Sequence, residues 1–269
     1  IGFIAAPILV GDLGYFAGAF FISITGTVLM VFPIYAYPKP LAQSAEPQPE
    51  DTSIGLLESV LIALRDRRFA ALLILLSGAH MSLTVMTSAA PFIAVHLLGG
   101  TDQDVALLLG PFLGVGLLCL AWTPRLSRAW GWEKCLLIAC VALGVVYAST
   151  SGLDTPVFGT PMVAATCIFM CGGPMVAIIL GLEGEAIVEC ANARSPDHVS
   201  MYWGVYNFIV KAMNGLAIWV CGVLAARILL AEDQMLTGLS AVRAMSIVAG
   251  GFLVVGVVLY LFARNDAND

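Results

Sequence analysis

The sequence predicts an all-α membrane protein. Of its 269 residues, 60% are hydrophobic and 11% are charged, whereas soluble domains carry about 25% charged residues. A soluble core cannot bury so much apolar surface, and the apolar residues are gathered into runs that match the thickness of a bilayer. We therefore expect the lipid bilayer to be a partner of this chain. The net charge of −6, without any basic stripe, argues against a nucleic-acid partner.

Seven apolar runs are candidate membrane-spanning helices. They cover residues 15–37, 69–98, 105–122, 135–151, 161–182, 201–230 and 242–263. A further run at 1–10 is too short to span and has no basic flank, so it is not a signal peptide. We expect it to be the end of a helix that starts upstream, which predicts a partial polypeptide.

A polar segment at 38–68 separates the first complete run from the others. Its first half is rich in Pro, Glu and Gln, as linkers are, and residues 54–64 repeat apolar side chains at helical spacing. We expect a linker that contains a short surface helix. The predicted division is the end of one bundle at 1–37, this linker at 38–68, a six-helix bundle at 69–263 and a tail at 264–269. In the numbering of a twelve-helix protein, residues 1–37 would be the end of helix five and helix six.

The basic residues predict the orientation. If the linker is cytoplasmic, it shares its side with the loops at 124–134 and 184–200 and with the tail, and that side carries nine Lys or Arg residues against two on the other. The positive-inside rule then places the linker and the C-terminus in the cytoplasm of a cell-membrane protein. A linker followed by six spans is the organisation of twelve-helix transporters built from two six-helix repeats. On that interpretation an N-terminal bundle of the same protein is missing here; an unrelated seven-helix protein is the alternative.

Lys211 lies near the middle of the run at 201–230, about 15 Å from its start. A lysine at mid-bilayer costs about 2.5–3.5 kcal/mol on insertion scales, and this depth exceeds the reach of its side chain to the headgroups. Asn207 and Asn214 stand on the same helical face, with Trp203 beside them. This stripe predicts the wall of a hydrated, substrate-binding cavity. A structural ion pair is the competing interpretation, but we expect no carboxylate deep within any of the spans.

A second polar face is predicted on the run at 69–98. His80, Thr84 and Thr87 recur at i, i+4 and i+7, and His80 is about as deep as Lys211. We expect these side chains to line the same cavity, where His80 binds a hydroxylated solute or relays protons. A histidine that only bonds between helices is an equal alternative.

Acidic residues follow the run at 161–182. Glu183, Glu185 and Glu189 are predicted to pair with Arg194 or with basic loop residues, as a gate that breaks when the cavity opens inward. Solvated acids at a helix end are the simpler interpretation. Within the run, residues 172–174 (Gly-Gly-Pro) predict a kink or a point of close packing. The chain contains no spacing typical of a catalytic triad, a phosphate loop or a zinc site, so neither catalysis nor a cofactor is predicted.

The stretch MYWGVYNFIVKAMNGLA, residues 201–217, resembles the eleventh-helix signature of the glycoside–pentoside–hexuronide:cation symporters, a branch of the major facilitator superfamily. That signature is an aromatic pair and Gly, followed by a Lys and small residues, here Tyr202, Trp203, Gly204, Lys211, Ala212 and Gly215. The family's lysine lies near the sugar and cation sites, and the resemblance implies the same for Lys211. The family's acidic cation-binding residues lie on its first four helices, which we expect to lie upstream of residue 1 if the chain is the C-terminal half of such a protein.

Together these features predict a secondary active transporter, the C-terminal half of a symporter that uses H⁺ or Na⁺ to move a small polar solute such as a sugar or glycoside by alternating access. Two alternatives stay open. The same fold is compatible with a lipid or amphipathic solute, and the chain is also compatible with a non-transporting membrane subunit or assembly factor. An intramembrane enzyme is disfavoured because the sequence shows no catalytic pairing.

Overall fold

The computed structural model describes residues 56–153, 161–194, 199–229 and 235–265, together with several helical positions between 17 and 28. The predicted run at 1–10, most of the run at 15–37 and the first half of the linker lie outside these residues.

The described part of the chain is all-α, without a β-strand. Its helices are α1 (Leu56–Arg65), α2 (Arg67–Phe92), α3 (Val105–Leu120), α4 (Thr123–Trp130), α5 (Trp132–Ser149), α6 (Pro161–Arg194), α7 (Val199–Leu229) and α8 (Met235–Asn265). Five of them are long and apolar enough to cross a membrane, and α3 with α4, bent by 57°, is a sixth candidate. These six correspond to the six runs expected after the linker, and the all-α membrane fold is confirmed.

The helix α2 begins at a side-chain cap and ends in a distorted turn. The carboxylate of Asp66 accepts hydrogen bonds from the backbone N–H groups of Arg68 and Phe69 at 3.1 and 3.2 Å, which satisfies two otherwise free donors of the first turn. Pro91 removes a backbone donor near the other end. The chain then widens into a π-helical turn at Ile93–Leu97 before leaving the helix.

Two of the expected loops are wrong. Most of 124–134 forms the helix α4, which has Pro124 in its first turn and ends at Trp130, just before Gly131, whose φ is +82°. The helix α6 continues to Arg194, 12 residues beyond the expected end of its span at residue 182. Both errors have one physical cause: hydropathy drops where polar side chains enter, but these side chains find partners on neighbouring helices and the backbone stays helical.

Glycines set the closest helix contacts. A Cβ on Gly173 would collide with the Phe112 carbonyl and lie 3.0 Å from the amide of Gly116. On the other side of the bundle, a Cβ on Gly78 would lie 2.7 Å from the carbonyl of Phe252. Small residues that let backbones approach are a common device in membrane helix packing. Of the two expectations for residues 172–174, close packing is therefore confirmed, between α6 and α3.

The helices differ strongly in how far their neighbours cover them. In the most apolar 18-residue window of each span, 72% of α2 is buried but only 17% of α7. The helix α2 therefore lies at the centre of the described bundle, and α7 lies at its edge.

Candidate functional site

Lys211 lies on the uncovered face of α7. It follows the first residue of this helix, Val199, by 12 residues, or about 18 Å along the axis. Its side chain is exposed, and among the described residues it has no hydrogen bond or ion pair. The face of α7 that packs on the bundle is made instead by Tyr202, Val205, Tyr206, Val210 and Ala217.

The structure brings one predicted pair of polar residues into contact. The hydroxyl of Thr84 on α2 lies 3.3 Å from Oδ1 of Asn214 on α7 and donates to it. Thr87 is half-buried, and its hydroxyl donates to backbone carbonyls of its own helix, those of Leu83 and Thr84. Polar side chains of α2 and α7 therefore meet about one helical turn after Lys211 along α7.

The other two residues predicted for the stripe, Trp203 and Asn207, precede Lys211 along α7. Asn207 is exposed, and its side-chain amide donates to the carbonyl of Trp203 at 2.9 Å. The Trp203 ring is partly covered and packs edge-on against Tyr206, with centroids 5.6 Å apart. The stripe from Trp203 to Asn214 therefore follows the boundary between the covered and uncovered faces of α7.

His80 belongs to a cluster of three side chains from three helices. Its Nε2 lies 2.9 Å from Oε2 of Glu183 on α6 and 3.0 Å from the hydroxyl of Tyr206 on α7. The same hydroxyl donates to Oε2 of Glu183 at 2.9 Å. The side chains of His80 and Glu183 are 19% and 21% exposed, and Tyr206 is buried.

This cluster overturns the expectation that no carboxylate lies deep in a span. Glu183 is 11 residues, or about 16 Å, from the last residue of α6. At this depth its carboxylate contacts His80. Glu183 was expected among the gate acids at the helix end, because the span was predicted to end at residue 182, and Tyr206 was not predicted as a site residue. One signal was available: a glutamate and a histidine at comparable depths on two spans are a natural pair, since each stabilises the other in a medium of low dielectric.

One end of the bundle carries the basic residues and is called here the basic end. The helix α2 begins and α8 ends at this end, and its cations include Arg68, Arg128, Lys134, Arg194 and Arg264. Glu189 of α6 lies here and forms an ion pair of 2.8 Å with Arg68. Its second oxygen accepts from Nε1 of Trp132 at 2.6 Å.

The remaining predicted gate residues differ in their partners. Glu185 accepts a hydrogen bond of 2.8 Å from the hydroxyl of Ser127 on α4. Arg194 is exposed at the end of α6, and Glu189 is paired with Arg68 instead. The acids were expected to pair either with Arg194 or with basic loop residues. The structure shows the second kind of partner, because Glu189 pairs with Arg68. Glu133 adds a further connection, because it accepts from both Tyr260 and Arg264 of α8.

A bundle of membrane-spanning helices that leaves a polar, charged stripe uncovered has the architecture of a solute transporter. The family model described as MFS/sugar transport protein matches residues 2–264 of this chain, and the chain belongs to that family. Searches of curated proteins and of solved structures gave no significant match. The protein is thus a multi-pass membrane protein and a major facilitator transporter of the sugar-symporter type. The resemblance first seen in residues 201–217 is confirmed by this match.

Proposed function

We propose that the protein moves a small polar solute, a sugar or glycoside, by cation-coupled symport with alternating access. The observation that carries this proposal is the position of Lys211. A lysine at mid-bilayer costs about 2.5–3.5 kcal/mol, so such residues face a partner or a hydrated path. Among the described residues Lys211 has no partner, and its face of α7 is uncovered. A hydrated cavity on this side of α7 accounts for both facts.

In this proposal Lys211 is the charged element of the solute cavity. Asn207, Asn214 and Thr84 offer amide and hydroxyl groups to the hydroxyls of a sugar, and Thr87 extends the polar wall on α2. Trp203 presents a partly covered aromatic ring of the kind that stacks on the apolar face of a pyranose. The Nε2 atom of His80 is occupied by Glu183 and Tyr206, which leaves Nδ1 as its free nitrogen for a solute.

The missing wall of the cavity is proposed to be a second helical bundle of the same protein. Alternating access then consists of rocking this bundle against the other, with residues 38–66 as the tether. The basic end is proposed to face the cytoplasm, because positively charged loops are retained on the cytoplasmic side of a membrane. The C-terminus would then lie on the cytoplasmic side of the cell membrane. The ion pair of Arg68 with Glu189 and the bond of Ser127 with Glu185 would act as gate contacts at that end. Arg194, at the end of α6, would belong to the same gate.

The test is uptake by the intact protein reconstituted in liposomes. The probes are radiolabelled methyl glycosides of a hexose, a pentose and a hexuronic acid, and the variant is Lys211→Ala. We expect at least about a tenfold loss of uptake, equivalent to about 1.4 kcal/mol. The matched control is Lys134→Ala, an exposed lysine at the start of α5 outside the cavity. Normal accumulation in Lys211→Ala, at equal protein incorporation, would refute the role of the lysine.

An amphipathic solute is the second candidate, and one feature favours it. A groove of about 490 Å³ lies between α2, α7 and α8, and its lining is almost entirely apolar, including Met81, Ile209, Met213 and Phe252. A groove of this kind would accept the acyl chain of an amphipathic solute. Competition in the same assay separates the two: lysolipids would inhibit glycoside uptake only weakly if the solute is a sugar, and strongly if it is amphipathic.

A further inference from the structure

The cluster of His80, Glu183 and Tyr206 joins three helices through three polar atoms. The atoms are Nε2 of His80, Oε2 of Glu183 and the hydroxyl oxygen of Tyr206, and each lies within 3.0 Å of the other two. The contacts that hold α2, α6 and α7 together at this level therefore depend on how many hydrogen atoms these three atoms share.

Counting donors shows what the cluster can bind. The phenol supplies one hydrogen and donates it to Oε2, so the short distance between Nε2 and Oε2 needs a second hydrogen between them. With Glu183 ionised, a neutral imidazole that carries its hydrogen on Nε2 meets this need, and the cluster has a charge of −1. One additional proton from water, on Nδ1 of His80 or on the carboxyl group, brings the charge to zero. None of the three contacts has to break for this, because Nδ1 has no partner among the described residues.

We propose that this cluster is a proton-binding site, and that H⁺ is the coupling ion of the transporter. The second part rests on the function proposed above. A net charge of −1 between helices in a low-dielectric region is unfavourable, and neutralising it stabilises the packed arrangement of α2, α6 and α7. Uptake and release of the proton therefore bias the packing of the helices that carry the polar stripe.

Other titratable groups near the cluster do not compete for its proton. Among the described residues, no charged side chain outside the cluster bonds to its three members. On the same helices, Glu185 binds Ser127, and Lys211 lies on the uncovered face, five residues beyond Tyr206. The helix α5 contributes Leu143 to the small cavity beside His80. The helix α8 packs on α2 through uncharged residues at this level, since Ser82 donates to the carbonyl of Ala249. The charged or titratable side chains of α8, Arg243, Tyr260 and Arg264, lie about two turns or more away.

The cluster is also close to the proposed solute site. Thr84, which binds Asn214, follows His80 by one helical turn, and Asn207 and Lys211 follow Tyr206 on α7. Proton and solute would thus act on the same two helices, α2 and α7, within about two turns. Because both species would bias the packing of the same helices, binding of one can change the affinity for the other, which is what coupling requires.

The decisive variant is Glu183→Gln, which keeps the shape of the side chain but cannot carry the negative charge. In liposomes with an inward gradient of one pH unit, one coupled proton supports up to about tenfold accumulation of the methyl glycoside probes. We expect Glu183→Gln to lose this accumulation and reach a ratio of about one. Equilibrium exchange of the probe, which needs no net proton movement, should stay within about twofold of wild type. The control Asp104→Asn removes a carboxylate that binds Thr101 at the other end of the bundle and should accumulate normally.

Two results would overturn the proposal. Proton-driven accumulation in Glu183→Gln equal to that of wild type would show that the cluster does not carry the coupling proton. An equal loss of exchange and of accumulation would show a structural or solute-binding role only. If Glu183→Gln does not fold, Tyr206→Phe removes the hydroxyl and both of its contacts in the cluster, and the proposal requires it to shift the pH profile of uptake while exchange at the optimal pH is kept.

A second measurement needs no solute, and so separates failure of this proposal from failure of the transport function. Infrared difference spectra of the reconstituted protein, recorded between acidic and neutral pH, report protonation of buried carboxyl and imidazole groups. A titrating signal present in wild type and Asp104→Asn, but absent from both Glu183→Gln and His80→Gln, supports the site even if none of the glycosides is transported. Identical spectra for wild type and both cluster variants would exclude it.

Discussion

The hydroxyl of Tyr202 donates to Oδ2 of Asp66 at 2.7 Å, across 136 residues of sequence. Asp66 uses its other oxygen to cap α2, and the ring of Tyr202 packs edge-on against Phe69 with centroids 4.5 Å apart. One carboxylate therefore fixes the start of the central helix and attaches to it the start of α7, the helix that carries Lys211.

Removing this carboxylate is predicted to cost stability. Asp66→Ala deletes the cap, worth about 0.5–2 kcal/mol, and leaves the buried hydroxyl of Tyr202 without a partner, at about 1–3 kcal/mol. Asp66→Asn keeps an acceptor oxygen, so its loss of stability should be less than half that of Asp66→Ala. Thermal unfolding in detergent, followed by scanning fluorimetry, measures the order wild type, Asn, Ala. Equal melting temperatures for wild type and Asp66→Ala would contradict the role assigned to this residue.

Close packing of α6 on α3 predicts that Gly173→Ala is destabilising. The new methyl group would meet the backbone carbonyl of Phe112, which cannot move without shifting α3. Overpacking of this kind costs about 1–3 kcal/mol. Gly114→Ala on the same helix α3 is the matched control, since nothing lies within 4 Å of its Cβ position. If both variants unfold at the same temperature as wild type, the helices do not approach as closely as described.

The ion pair of Arg68 with Glu189 is predicted to affect transport more than stability. Its side chains are 51% and 48% exposed, and exposed pairs contribute about 0–1 kcal/mol. In the proposed gate, however, this pair would form in only one state of the transport cycle. We expect Arg68→Glu to slow glycoside uptake with little change in melting temperature, and the exchanged pair Arg68→Glu with Glu189→Arg to restore much of the rate. Failure of the exchanged pair to recover any activity, at normal expression, would count against a gate at this position.

Hydropathy and helical spacing were sufficient for most of the fold. The six spans after the linker follow directly from their apolar runs, and Lys211 is conspicuous as a lone charge in such a run. The spacing also put Thr84 and Asn214 on the polar faces of their helices, and these two side chains meet in the structure. Lys211 stays on the uncovered face of α7.

The parts that could not be predicted depend on contacts between distant segments. Glu183 looked like the end of a span because a carboxylate usually marks the membrane surface. It is inside because His80, 103 residues earlier, and Tyr206 supply its hydrogen bonds. Arg68 was likewise expected as a generic linker charge, whereas its pairing with Glu189 depends on how α2 and α6 meet.

The most direct test of the account is whether water reaches position 211. Lys211→Cys would be labelled with a membrane-impermeant thiol reagent, in a background where the exposed Cys167 and Cys171 and the partly exposed Cys119 are replaced by Ser. Ala217→Cys, on the buried face of α7, and Trp219→Cys, on its apolar exposed face, are the controls. The account predicts labelling at 211 and no labelling at either control. A cysteine at 211 that stays as unreactive as the one at 217 would mean that no hydrated cavity adjoins this helix, and the role of Lys211 in transport would have to be abandoned.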